Sequence, residues 1–505
     1  MAARSCPRLR GGNAISLAIG LVGCASPAAP PARAQTQTER IARRLEQRIP
    51  PLLREAGVPG LSIALLRDGE LVWHRGFGVK NARTGEPVTD GTVFEAASLS
   101  KPVFAYAVLR LVDRGELDLD RPLTQYLPGR YDVGDDPRLD RITARRVLSH
   151  TTGLPNWRPR GGPLLIHFTP GERFSYSGEG FVYLSKVIEH VTGEALDDFM
   201  RRIVFEPLGM TSSSYVWQES YEARMTSVHD SKGDPAELDR MARSSGNVAA
   251  SLLTTAEDYG RFVAAVSKGT GLRTQSWKSM LTPQVNVRAG GPQSIDRPHA
   301  RPVPEIAWGL GWGLQTTRDG LSFWHWGDND NSKAYVVVAA GRGTGVVFFA
   351  NSASGLSIAR EIVGEAVGGG GGDQPALAWL NYPSYRSARM TLLRNIAARG
   401  APAALRVYRG WRTGRSAGEL IDEGQMNGLG YEVLYSWKRE EDAIEVFRLN
   451  AEDHPGSTNV YDSLGEAYAV HGDRALAIES YERSVDLNPA NANAIEALKK
   501  LRESR

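Results

Sequence analysis

The sequence predicts an α/β domain built on one antiparallel sheet, with flanking helices and a helical subdomain, followed by an all-α C-terminal domain. Three observations carry this reading. β-rich runs stand at both ends of residues 35–367 with helical periodicity between them, a Gly-rich stretch interrupts the chain at 368–375, and beyond it a helical pattern recurs at a spacing of 34 residues. A chain of 505 residues also exceeds what one compact core organises.

Residues 1–34 read as a targeting segment: Arg4, Arg8 and Arg10, an apolar run from Ala14 to Cys24, then Ala/Pro-rich sequence ending "ARAQ". Two processing routes fit it. Cleavage after Ala34 releases a soluble protein, whereas Leu21-Val22-Gly23-Cys24 resembles a bacterial lipobox, in which Cys24 becomes a lipid anchor. Either way the expected location is exported, periplasmic or envelope-associated. Cys6 and Cys24 are the only cysteines, so no disulfide and no thiolate metal site is left for the rest of the chain. No HExxH or comparable ligand spacing occurs, and neither metal nor cofactor is expected. The net charge of +3, without a basic stripe interleaved with aromatics, argues against a nucleic-acid partner.

"GLSIALLRDGELVWHRGFG" (60–78) is two β-rich runs around Asp68-Gly69, a hairpin signal. Helical periodicity follows, including Val103–Arg114 closed by Gly115 and Tyr183–Val191 closed by Gly193. Strand character returns in "LSFWHW" (321–326), "AYVVVAAG" (334–341) and "GVVFFANSA" (345–353), so the two ends are expected to share the sheet. Residues 368–375 read as a linker and 376–426 as a helical connector. In 427–505, Ala443, Phe447 and Pro455 recur as Ala477, Tyr481 and Pro489. With Tyr461, Leu464, Gly465 and Tyr468 the second copy resembles a tetratricopeptide repeat, and Ile495–Leu501 a capping helix. Two units fall short of the roughly three that a free-standing solenoid needs, which favours packing on the preceding helices. A groove for a protein or peptide partner is the sharper reading.

The chemistry begins at "FEAASLSKPVFAY" (94–106), where Ser98 and Lys101 stand three apart at the start of a helix. They are either a capping serine beside a solvated charge or a nucleophile beside its base, and this spacing alone does not decide. Two later stretches do. "GERFSYSGEGFVYLSKVIE" (171–189) offers Tyr176 before a helix, and "FWHWGDND" (323–330) offers His325 and Gly327. In this order they resemble the S-x-x-K, Y-x-N and K-T-G motifs of the serine β-lactamase and penicillin-binding protein superfamily, and most closely its class C and esterase branch, where the third motif is often H-x-G. "VLSHTTGLP" (147–155), "FEPLGMTSSS" (205–214), "VAASLLTTAEDYGRF" (248–262) and "WGLGWGL" (308–314) resemble that branch too. Some of its members carry a C-terminal tetratricopeptide extension.

The resemblance implies a β-lactamase/DD-peptidase-like fold and acyl transfer through an ester on Ser98 of a small ester, amide or peptide substrate. Lys101 or Tyr176 would be the base, as a neutral amine or as a phenolate held by the lysine cation. His325 would assist proton transfer or orientation. Backbone N–H groups of Ser98 and Asp328 would form the oxyanion hole beside Gly327. Three departures bear on substrate. Gly178 stands where the second motif ends in Asn, Trp326 replaces threonine of the third, and Asp328 follows its glycine. Unless Lys333 folds back, a carboxylate at Asp328 would cost a substrate carboxylate about 1–4 kcal/mol. That favours a neutral or amine-bearing ester or amide over a β-lactam or D-Ala peptide. Trp324 and Trp326 are candidates for an apolar acyl-pocket rim or for the core, His150 for a structural turn, and Glu179 for a helix cap. The rival reading is a catalytically silent envelope binding module, against which the intact Ser98, Lys101 and Tyr176 argue.

Overall fold

The computed structural model describes residues 36–503 except 130, 160, 239, 241, 242 and 369–373. The leader with Cys24, and most of the 368–375 linker, therefore lie outside the described residues. Helix α1 (Gln37–Ala56) starts on a capping box between Thr36 and Glu39 and stops at Gly57, whose φ of 69° few other residues tolerate. It leads into β1 (Gly60–Arg67) and β2 (Glu70–Gly78), joined through Asp68 and Gly69 at φ 51° and 72°. Two positive φ values match the right-handed twist of the hairpin that the sequence predicts there.

The helical middle holds α2 (Ser100–Arg114), α3 (Ala144–Leu148) and α4 (Gly178–Thr192). It also holds four two-residue strands: β3 (Phe94–Glu95), β4 (Val228–His229), β5 (Pro235–Ala236) and β6 (Leu253–Thr254). The chain then lays down β7 (Val285–Arg288), β8 (Pro302–Trp308), β9 (Gly313–Thr317), β10 (Gly320–Asn329), β11 (Ser332–Ala339) and β12 (Thr344–Ala350). The eight-stranded sheet runs β2-β1-β12-β11-β10-β9-β8-β7, antiparallel throughout. Pairing of Leu61 with Ala350 and of Leu66 with Gly345 closes the two ends of the domain on each other, as the sequence predicts. Strands β7 to β9 were not legible as strands. Pro302 and Pro304 fall in the part of β8 beyond its pairing with β9, which covers only Ile306 to Trp308, so that side of the strand is open there.

The sheet separates two cores. Leu61, Ile63 and Leu65 of β1 face α1 and the helix Ala359–Val367, whereas Ala64 and Leu66 face α2 and the helix Ala256–Lys268. This two-sided burial explains why β10 to β12 read as nearly continuous apolar runs. Past the linker, Pro375–Leu380 still belongs to the sheet side: Trp379 packs on Trp324, and its Nε1 donates to the Arg288 carbonyl at 2.7 Å. The first residues of the segment read as a connector are thus part of the sheet domain's core. From Ala388 to Glu503 the described residues are all-α.

Candidate active site

The Ser98 turn is built to hold its hydroxyl in place. Residues Ala97–Leu99 form a 3-10 turn feeding α2, and Ala97 takes a φ of 49°, which a residue with a Cβ adopts only when its surroundings force it. Those surroundings are specific. Ser100 Oγ donates to the Ala97 carbonyl at 2.5 Å and accepts from Leu252 N–H at 3.0 Å. Tyr215 and Tyr259 hydroxyls donate to the Ser100 and Leu99 carbonyls at 2.6 and 2.9 Å. Ser98 makes no capping bond, so its hydroxyl is free for other work.

Lys101 Nζ stands 3.1 Å from Ser98 Oγ and donates to the Ala249 carbonyl at 2.7 Å. The side chain is fully buried, which rules out the solvated surface charge. Burial, with no carboxylate bound to it, pushes its pKa well below the ordinary lysine range. Three rings surround the nitrogen, with centres at 4.7 Å (Tyr176), 5.8 Å (Trp157) and 5.9 Å (Phe181).

Tyr176 reaches the same point from the loop before α4, whose N-cap is Ser177. Burial raises the phenol pKa, and the neighbouring Ser98 hydroxyl draws it only partly back. Burial therefore drives both partners towards neutrality, which favours a free amine beside a phenol over an ammonium beside a phenolate. His325 lies on β10, its Nδ1 2.7 Å from the Trp326 carbonyl. A carbonyl only accepts, so Nδ1 carries the proton and Nε2 the lone pair. Burial first, and the Lys101 charge second, pull its pKa down to about 3. Tyr176 Oη, His325 Nε2 and His150 Nε2 are buried without a hydrogen-bond partner among the described residues. Of these, the Tyr176 ring lies 4.7 Å from Lys101 Nζ and 6.0 Å from the His325 ring, so unspent hydrogen-bonding capacity stands beside the catalytic lysine.

His150 is more than a turn residue. It stacks on Tyr176 with ring centres 4.2 Å apart, and its Nδ1 accepts from Ser177 N–H at 3.0 Å, so it backs the phenol directly. Burial, then the charges of Lys101 and His325, depress its pKa too. Glu179 does not cap α4; it binds the Arg158 guanidinium at 3.1 Å and Arg158 N–H at 3.2 Å. Trp324 is core, fully buried against Trp308, Tyr335 and Trp379. Trp326 is also buried and packs on Tyr176, with ring centres 4.6 Å apart.

Gly327 brings the third motif against the nucleophile. A Cβ there would stand 2.5 Å from the Ala96 carbonyl oxygen and 3.2 Å from the Ala97 Cβ, so the two backbones touch. The buried Glu95 carboxylate ties the hairpin end to this turn, accepting from Asn329 Nδ2 and Ser332 Oγ at 2.7 Å each and pairing with Arg243. The register closes β10 on β11 with Asn329 opposite Ser332, so Asp328 and Lys333 form the next, non-hydrogen-bonded pair. Asp328 N–H consequently points away from β11, past Trp324, where the pairing of β9 ends. The Ser98 N–H sits in a first helical turn, where donors lack internal acceptors.

The Asp328 side chain meets the condition under which it would not repel a substrate carboxylate. Lys333 folds back onto Oδ1, and the Tyr382 hydroxyl, arriving from beyond the linker, donates to Oδ2. With its charge paired and both oxygens engaged, it no longer disfavours anionic substrates. Gly178 has a structural reason as well. Its N–H donates to Asn156 O at 3.0 Å and Oδ1 at 3.1 Å, and a Cβ would meet Asn156 O at 2.7 Å and two Trp157 ring carbons at 3.0 Å. Trp157, Ala249 and Glu95 escaped sequence reasoning; only the proximity of Trp157 to the "SHTTGLP" stretch could have pointed to it. Among the described residues no group of three or more His, Cys, Asp or Glu could hold a metal ion.

Comparison with known proteins gives the family and the fold. A family profile described as Beta-lactamase matches residues 45–363. The chain is 29% identical over 353 residues to penicillin-binding protein 4 of Amycolatopsis lactamdurans, covering 64% of this chain and 90% of that protein. It is 31% identical over 229 residues to esterase EstB of Burkholderia gladioli, covering 39% and 57%. The octameric penicillin-binding protein homologue from Pyrococcus abyssi superposes with a TM-score of 0.52 at 22% identity, over 63% of this chain and 74% of that one. D-alanine carboxypeptidase AmpC from Burkholderia cenocepacia gives 0.52 at 20% identity, over 64% and 99%. These two structures speak for the fold.

Proposed function

The chain belongs to the β-lactamase family of serine hydrolases, and from that premise we propose that it hydrolyses a small ester or amide through an acyl-enzyme on Ser98. The observation that carries this is Lys101: a fully buried amine without a carboxylate partner, 3.1 Å from Ser98 Oγ. The neutral amine takes the Ser98 proton as Oγ bonds to the substrate carbonyl carbon. The resulting oxyanion is received by the N–H groups of Ser98 and Asp328. As the bond to the leaving group breaks, Lys101 returns the proton to it, directly or through Tyr176. Water repeats the sequence on the ester, and Ser98 recovers its proton. His325, neutral with Nε2 as an unspent acceptor, packs beside the Tyr176 ring, and Trp326 and His150 hold that ring from other sides.

Lys333 folded onto Asp328 favours a second reading, action on carboxylate-bearing β-lactams or D-Ala peptides, because the repulsion that would exclude them is gone. In either case we place the enzyme in the envelope, exported by its leader. We read the C-terminal helices as tetratricopeptide-like, since Ala443 and Phe447 and their counterparts Ala477 and Tyr481, 34 residues on, are all buried. Incubation with a fluorophosphonate probe, with Ser98→Ala as control, tests the mechanism by mass spectrometry. An adduct on Ser98 is expected, and an unlabelled Ser98 in folded protein overturns it. A panel of p-nitrophenyl esters, D-aminoacyl amides and a cephalosporin decides between the two substrate readings.

A further inference from the structure

We propose that the indole of Trp157 is the wall against which the acyl group of the substrate lies, so that the enzyme selects esters of apolar, ring-bearing or branched acids. This rests on the assignment of Ser98 as the nucleophile. Trp157 is one of the few large apolar side chains left open, at 44% exposure, yet its ring centre lies 5.8 Å from the buried Lys101 Nζ. Lys101 in turn is 3.1 Å from Ser98 Oγ, so the indole lies within about 9 Å of the reacting hydroxyl, those two distances end to end. An exposed ring this close to a buried catalytic pair is placed to border the approach to the site.

The ring is held there. Asn156 O accepts from Gly178 N–H at 3.0 Å and Glu179 N–H at 3.1 Å, fixing the loop on the first turn of α4. The next residue along, Arg158, donates its N–H to the buried Glu179 carboxylate, and its guanidinium spans Glu179 and Asp132. The Arg158 charge next along the chain is thereby engaged by carboxylates on the side of α4 and Asp132. Gly178 is the reciprocal half of the device, because the edge of the indole occupies the space any side chain at 178 would need. The volume from which a polar side chain could have reached an amide on the substrate is filled by a ring that offers dispersion and stacking. A pre-organised aromatic face rewards acyl groups that cover it and gains little from an acetyl group.

The experiment compares kcat/KM for p-nitrophenyl phenylacetate, butyrate and acetate in the full-length wild type, Trp157→Phe and Trp157→Ala, with fluorophosphonate labelling of Ser98 in each. The phenylacetate-to-acetate ratio should fall about tenfold in Trp157→Ala, the scale of losing one apolar contact surface. Trp157→Phe should keep most of it. An unchanged ratio in Trp157→Ala, with Ser98 still labelled, overturns the assignment of the wall while leaving the nucleophile standing. Absence of the label in the wild type removes both.

Discussion

Gly327→Ala puts one methyl group where the third-motif strand crosses the Ser98 turn. An ideal Cβ there stands 2.5 Å from the Ala96 carbonyl oxygen, 3.1 Å from the Ala334 Cβ and 3.2 Å from the Ala97 Cβ. Contacts of real Cβ atoms stay above 3.0 Å, so strand and turn must part by at least 0.5 Å. Neither can yield cheaply. Gly327 sits in register with Ala334 on β11, and the turn is pinned by Ser100, Tyr215 and Tyr259. Overpacking of this kind costs about 1–3 kcal/mol of stability. Because a displacement of about 1 Å at a catalytic constellation costs roughly a hundredfold, half of that predicts a loss of about tenfold in kcat. Steady-state hydrolysis of p-nitrophenyl butyrate gives the kinetic effect, and urea unfolding gives the stability. A variant within twofold of wild-type kcat and with an unmoved urea midpoint would show that the strand does not fix the donor geometry.

Other substitutions probe the remaining supports. Lys101→Met should abolish turnover and flatten the pH dependence of stability: the unfolded chain binds a proton that the folded chain refuses, so wild-type stability rises with pH from the depressed lysine pKa up to about 10.4. Urea midpoints across that range, steeper in wild type than in the variant, check it. Glu95→Gln leaves Arg243 without its charge partner and loosens Asn329 and Ser332, at a cost of about 1–3 kcal/mol in urea melts and with kcat falling more than KM rises. Trp379→Ala, past the linker, should destabilise the hydrolase core by about 3–5 kcal/mol, because that ring packs on Trp324 and Phe174. Unfolding followed by Trp fluorescence measures this.

What the sequence made legible divides along physical lines. The hairpin at Asp68-Gly69 and the end-to-end sheet were readable because turn chemistry and apolar runs are local signals. Ser98, Lys101, Tyr176 and His325 were found by their spacing and by resemblance, and the fold brings all four together. Glu95, Ala249 and Trp157 were not found, because each acts through a contact with a distant segment and has no local signature. The electrostatic inference from Asp328 hung on a condition, Lys333 folding back, that is decided in space and not along the chain; Lys333 and Tyr382 do pair the charge. Gly178, read from the sequence as a departure that bears on substrate, is also the seat of an indole.

The proton inventory of the site leads to one more test. Lys101, Tyr176, His325 and His150 are all driven by burial towards their neutral forms, and no carboxylate touches Lys101 to hold a cation. The amine is therefore basic but uncharged until an anion appears beside it. An oxyanion formed at Ser98 supplies that anion at about 4–5 Å, a distance at which an effective dielectric near 20 gives about 3–4 kcal/mol of attraction. That gain exists only when the tetrahedral species exists, which is differential stabilisation of the transition state. A phenylboronic acid imitates the species: Ser98 Oγ bonds to boron, boron becomes anionic, and the Ser98 proton must go somewhere. If Lys101 takes it, calorimetric titrations in buffers of different ionisation enthalpy will register almost no proton release near neutral pH. In Lys101→Met one proton per bound boronate will reach the buffer. Release of a full proton by the wild type would mean that neither Lys101 nor Tyr176 takes it, and that no free base stands beside Ser98 in the resting site.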